Sequence, residues 1–156
     1  MLFRLDKNGA PKVIEFNVRF GDPETQPILL RLKSDLVELI DAALNGRLKQ
    51  TSARWDARPA IGVVMAAAGY PGRVRPDDVI DGLDAPADAA VKVFHAGTRL
   101  DDTGHTVTAG GRVLTVCALG SDIAAAREQA YAAVGNIHYD GAFCRRDIAY
   151  RALHRD

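Results

Sequence analysis

Val13-Ile14-Glu15-Phe16-Asn17-Val18-Arg19-Phe20-Gly21-Asp22-Pro23-Glu24-Thr25-Gln26-Pro27 decides how this chain is read. Apolar Val13, Ile14, Phe16, Val18 and Phe20 interleave with Glu15, Asn17 and Arg19, which predicts a strand. Side chains two apart on a strand share a side, so Glu15, Asn17 and Arg19 are expected on one face. A carboxylate beside an amide oxygen suits a hard cation such as Mg²⁺, and the arginine fork suits a phosphate or carboxylate. The Gly-Asp-Pro-Glu loop adds Asp22 and Glu24. On spacing alone, an edge strand with a polar solvent face and an ordinary turn fits these residues equally well.

Outward from that stretch, Met1 to Leu5 and Lys12 to Val18 read as two strands. Asn8-Gly9 between them is a strong turn signal, so a β-hairpin is expected. Pro27 to Leu32 reads as a short helix with proline in its first turn. Ser34 or Asp35 then caps a longer helix to about Leu44, with an apolar stripe of Leu36, Leu39, Ile40 and Ala43 and an Asn45-Gly46 stop. The polar, weakly patterned run from Lys49 to Arg58 marks a boundary.

Beyond Pro59 the chain turns strand-rich. Strands are expected over Ala60 to Ala67 and Val91 to His95, with turns at Tyr70-Pro71-Gly72 and Asp101-Asp102-Thr103-Gly104. His105 to Thr108 and Arg112 to Leu119 read as a hairpin across Gly110-Gly111. Ser121 is expected to cap a helix ending near Val134 and Gly135, with Ile123, Ala126, Ala130 and Val134 inward. The tail from His138 to Asp156 is Arg-rich. This order predicts an α+β fold with a mainly antiparallel sheet and a packed helix.

Composition narrows the function classes. At 156 residues the chain holds one ordinary domain, or one small domain with an appendage. Hydrophobic content of 47% argues against wholesale disorder. Basic and acidic residues both number 20, and zero net charge argues against a nucleic-acid partner held by counterion release. Cys117 and Cys144 make no disulfide framework and read as free thiols of a reducing compartment. No signal peptide is visible, and the longest apolar stretch, Ala60 to Tyr70, is too short to span a bilayer. A soluble, cytoplasmic protein with no membrane partner is expected.

Several other features favour bland readings. The glycines from Gly62 to Gly72 lack the Lys-Ser/Thr ending of a phosphate-binding loop. His95, His105, His138 and His154 show no metal-ligand spacing, and His95 reads better as a hydrogen-bonded structural residue than as a substrate contact. Arg145 and Arg146 read as solvated surface charges.

A resemblance adds to this reading. The Val13 to Pro27 string resembles the metal-binding strand and following loop of the phosphoribosylamine–glycine ligase (glycinamide ribonucleotide synthetase) family of ATP-grasp enzymes in purine biosynthesis. Gly62-Val63-Val64-Met65-Ala66-Ala67-Ala68-Gly69-Tyr70-Pro71-Gly72, Val93-Phe94-His95-Ala96-Gly97-Thr98, Thr108-Ala109-Gly110-Gly111-Arg112-Val113-Leu114 and Tyr139-Asp140-Gly141-Ala142-Phe143-Cys144-Arg145-Arg146-Asp147-Ile148 are similar to the same family. Only the C-terminal part of that enzyme is represented. The resemblance implies residues 1–48 as the end of an ATP-grasp domain, 49–58 as a linker and 59–156 as the C-terminal domain. It further implies Glu15 and Asn17 as ligands of Mg²⁺ or Mn²⁺, and Arg19, Asp22 and Glu24 as catalytic-loop groups. ATP, glycine and 5-phosphoribosylamine become the expected small-molecule substrates. Lacking the adenine pocket and phosphate-binding lysines, the chain is expected to be inactive alone. It would then work beside a complementing N-terminal chain, or self-associate as a non-catalytic piece through apolar surface near Met1 to Leu5 and the Leu36 helix.

Overall fold

The computed structural model describes residues 2–84 and 88–154. Met1, which begins the first expected strand, and residues 155 and 156 of the Arg-rich tail lie outside them. Strands β1 (Leu2–Leu5) and β2 (Pro11–Glu15) form the expected antiparallel hairpin, its turn closed by Gly9 N–H donating to Asp6 O at 3.0 Å. The second strand is shorter than its alternation suggests. The ladder ends at the Leu2–Glu15 pair, and among the described residues 16–20 find no partner strand. Alternation supplies a face, but a strand also needs a neighbour.

Helix α1 (Thr25–Arg31) starts two residues before Pro27, and α2 (Leu36–Leu44) begins at an Asp35 cap whose carboxylate accepts from Val37 N–H and Glu38 N–H. Of α2 only Ala42 is buried; of the expected stripe Leu36, Ile40 and Ala43 are exposed and Leu39 is half-buried. A 3-10 turn (Leu48–Gln50) follows. The segment after it is tied down: Asp56 is buried, paired with Arg58 at 2.9 Å and Lys33 at 3.6 Å, while Arg31 donates to its carbonyl. Arg58, through its hydrogen bonds first, and the Lys33 charge hold the Asp56 carboxyl well below the usual carboxylate range.

The centre of the molecule is a three-stranded antiparallel sheet in the order β3-β7-β4, built from β3 (Ala60–Ala66), β4 (Val91–His95) and β7 (Arg112–Leu119). Alternation sends Val63, Met65, Leu114 and Val116 to one face, where they join Ala130 and Val134 of α3 (Ile123–Val134). Gly62 and Cys117 point the other way, toward Pro27 of α1. The sheet is thus covered on both faces, which is why nearly every residue of β7 is buried. Cys117 is completely buried, and burial pushes its thiol up to about 12. Cys144 is half-buried and also free. Helix α3 is capped by Asp122, which accepts from Ala125 N–H, rather than by Ser121. A short helix α4 (Tyr150–Leu153) ends the described chain.

One pairing corrects the sequence reading. β6 (Thr106–Thr108) pairs with β5 (Thr98–Leu100), not with β7. The Gly110-Gly111 pair that looks like a hairpin turn serves close packing instead. A Cβ on Gly97 would lie 2.8 Å from the Gly110 Cα, and a Cβ on Gly111 only 2.4 Å from the Tyr70 ring.

The true β5–β6 turn is held by Asp101, whose Oδ1 accepts from the Thr103 hydroxyl, Thr103 N–H and His105 N–H at 2.8 to 2.9 Å. The hydroxyl first, then these amides, lower its carboxyl to about 2. A depressed carboxylate contributes stability that is complete above its unfolded value of roughly 3.9 and is lost as pH falls toward the folded value. Asp101→Asn, which keeps the acceptor oxygen but cannot ionise, is therefore expected to flatten the thermal-melting-versus-pH curve between about pH 4 and pH 2. Circular-dichroism melts would show it, and an unchanged acid slope would refute the assignment.

Candidate active site

Glu15 ends β2, and Asn17 lies two residues beyond it, outside the strand. Their side chains meet: Asn17 Nδ2 donates to Glu15 Oε1 at 3.1 Å, with both residues exposed. The shared face therefore survives past the end of the strand for these two residues. Arg19 does not join them; its Nη1 donates to the Phe20 carbonyl at 3.2 Å. Both groups of the pair offer hard oxygen atoms and reach the same patch of solvent, so they fit two positions of an oxygen-coordinated divalent ion once the Asn17 amide turns its oxygen outward. Among the described residues there is no cluster of three or more His, Cys, Asp or Glu side chains able to hold a metal. Two ligands are what these residues offer.

The loop that follows is anchored rather than free. Thr25 N–H and hydroxyl both donate to Gly21 O, at 2.9 and 2.7 Å, and the Glu24 carboxylate folds back over Gly21. Glu24 also lines an open, mainly apolar cleft of about 870 Å³ with Pro27, Ile28, Arg31 and Trp55. Asp22 is engaged from the far side. Arg112 Nη1, at the start of β7, lies 3.0 Å from Asp22 Oδ2 and donates to Asp22 O at 2.8 Å, while its Nε donates to the Tyr70 hydroxyl at 2.8 Å. The Tyr70 hydrogen bond first, then the Asp22 charge, push the guanidinium's pKa further up, so it stays charged throughout the accessible range.

Sequence reading missed both Arg112 and Tyr70 as loop contacts. They sit inside the quoted Gly62 to Gly72 and Thr108 to Leu114 motifs, but no local pattern links positions 22 and 112. The weaker candidates fall on the bland side. His95 shares a 3.0 Å hydrogen bond with Thr98, and Arg145 pairs with Asp147 at 2.6 Å.

Residues 60–151 match the family described as phosphoribosylglycinamide synthetase, C domain. The chain belongs to this family. It is 59% identical over 152 residues to a phosphoribosylamine–glycine ligase of Escherichia coli O6:H1, 59% identical to that of Xylella fastidiosa (strain 9a5c) and 55% to that of Vibrio cholerae, in each case over 97% of this chain and 35% of the relative. A crystal structure of the ligase from Thermotoga maritima shares the fold, with a TM-score of 0.69 and 34% identity over 94% of this chain and 35% of that one. The chain thus spans about a third of the length of these relatives, their C-terminal portion. Among the described residues no helix is long and apolar enough to cross a membrane.

Proposed function

We propose that these residues are the part of a phosphoribosylamine–glycine ligase that completes an ATP-grasp active site, with Glu15 and Asn17 helping to hold Mg²⁺ or Mn²⁺. The reaction joins glycine to 5-phosphoribosylamine, giving glycinamide ribonucleotide, ADP and phosphate. Phosphorylation of the glycine carboxylate by ATP gives an acyl phosphate; the amine of the second substrate then attacks its carbonyl carbon and phosphate departs. When bound, the ion would neutralise charge on the phosphate oxygens. Glu15 and Asn17 supply a negative and a neutral oxygen to it. Arg19, released from the Phe20 carbonyl, offers a planar fork to carboxylate or acyl-phosphate oxygens. Glu24, at the rim of the adjoining cleft, would meet the substrate amine once its carboxylate swings off Gly21, while Asp22, paired with Arg112, holds the loop. Residues 1–48 belong in this reading to the end of the ATP-grasp domain, 49–58 to the connection and 59–156 to the C-terminal domain, in a cytoplasmic enzyme.

The observation that carries this reading is the 3.1 Å contact between two exposed oxygen-bearing side chains on the segment leading into an anchored acidic loop. Its test is coupled ADP release with glycine and phosphoribosylamine. A full-length enzyme containing this segment is expected to turn over, and a polypeptide of these 156 residues alone is not. Turnover by the short polypeptide, or none by the full-length enzyme, would defeat the proposal.

A second reading is supported by the surface. Val13, Ile14, Phe16, Val18 and Phe20, with Ile40 and Leu44 of α2, are all at least half exposed. Apolar surface on that scale favours a piece that docks on a complementing chain or on a second copy of itself. Size-exclusion chromatography with and without the remaining ligase segments distinguishes the two, because a monomer indifferent to them excludes docking.

A further inference from the structure

We propose that Arg112, together with Tyr70, is a positioning residue of the ligase: it fixes the Asp22 turn to the start of the sheet's central strand. The inference rests on the functional reading above and names the part of the C-terminal domain that acts on the loop. Three contacts converge on one guanidinium. Nη1 serves both the carbonyl and the carboxylate of Asp22, and Nε serves the Tyr70 hydroxyl, whose ring lies 5.8 Å from the Arg112 carbon. The planar fork can serve two directions only because its donors are rigidly splayed, which a lysine ammonium on a flexible stem cannot copy. Tyr70 is itself fixed, since its ring rests on Gly111 where any side chain would collide. The chain therefore presents a relay from Gly111 through Tyr70 and Arg112 to Asp22, one residue from Gly21 and two from Glu24. The Asp22 carbonyl accepts from Arg112 over a separation of 90 residues, so the loop's shape depends on the β domain having folded.

The experiment takes Arg112→Lys, Tyr70→Phe and the double variant, in a full-length ligase and in the 156-residue chain. In the full-length enzyme Arg112→Lys is expected to lower kcat about 30-fold and Tyr70→Phe about 5-fold, with KM for both substrates changed less than about 3-fold. The double variant should be no slower than Arg112→Lys, because both act through one relay. In the 156-residue chain, hydrogen exchange of the Thr25 and Ile28 amides, which donate to Gly21 O and Glu24 O, should quicken at least about 10-fold while that of β7 stays unchanged. A kcat within twofold of the parent in both single variants overturns the proposal. So does a double variant equal to the product of the singles, or unaltered exchange in the loop. Should the unsubstituted full-length enzyme fail to ligate, the functional reading falls, yet the exchange measurement still decides whether Arg112 and Tyr70 hold the turn. Tyr70→Phe keeps the ring on Gly111, so it carries the test if Arg112→Lys folds poorly.

Discussion

Glu15→Gln in a full-length ligase is expected to lower kcat by about 100-fold or more, the scale seen when a group that offsets transition-state charge is removed. The substitution keeps the shape of the side chain and leaves an oxygen for Asn17 Nδ2 to donate to, so the β2 end should be undisturbed. What disappears is the formal negative charge, the one feature of the pair that a divalent ion needs most. The Mg²⁺ concentration giving half-maximal rate should rise at least about 10-fold in the same variant, while Asn17→Ala, which removes a neutral ligand, should cost only about 10-fold in kcat. Steady-state rates over a Mg²⁺ titration check both, with Mn²⁺ electron paramagnetic resonance as a binding readout independent of turnover. A Glu15→Gln enzyme that matches the parent at every metal concentration would remove the pair from the active site.

Leu114→Ala is expected to give the largest loss of stability, about 2–5 kcal/mol. Leu114 is completely buried on β7, between Met65 of β3 and His95 of β4, and faces the α3 side of the sheet. Collapse around the missing atoms is hindered because β7 has a ladder on each side and a helix over each face, so most of the cavity should persist. For a chain of this size the loss corresponds to a fall in melting temperature of roughly 10 °C. Leu44→Ala is the control: that side chain is 82% exposed and its removal should change stability by less than about 0.5 kcal/mol. Thermal and urea melts of the 156-residue chain decide between the two. A Leu114→Ala protein that melts with the parent would mean the sheet is not the seat of the core.

Features carried by local chemistry could be read from the residues. The Asn8-Gly9 turn, the Asp35 cap and Asn45-Gly46 stop of α2, and the inward Ala126, Ala130 and Val134 of α3 all express a rule that operates within a few residues. The Glu15–Asn17 proximity belongs to the same class, since side chains two residues apart need no distant partner to meet. Failures came where two remote segments had to meet. Gly110-Gly111 has the look of a hairpin turn, yet its lack of side chains is used to let Gly97 and Tyr70 approach, and that cannot be known before the fold brings them there. The extent of β2 differs from its alternation for a related reason, because alternation continues to Phe20 while hydrogen-bonded pairing stops at Glu15. The Arg112 clamp is the extreme case: a guanidinium has no sequence signature for the carbonyl it will find.

The strand order has a bearing on biosynthesis. β7 lies between β3 and β4 but is made after both, so neither earlier strand has its ladder partner until residue 119 has left the ribosome. At ordinary elongation rates of about 5–20 residues per second, β3 spends several seconds as unpaired, apolar chain. The nascent chain is therefore most vulnerable to wrong strand partners during that interval, and any pause in translation before β7 has emerged would prolong it.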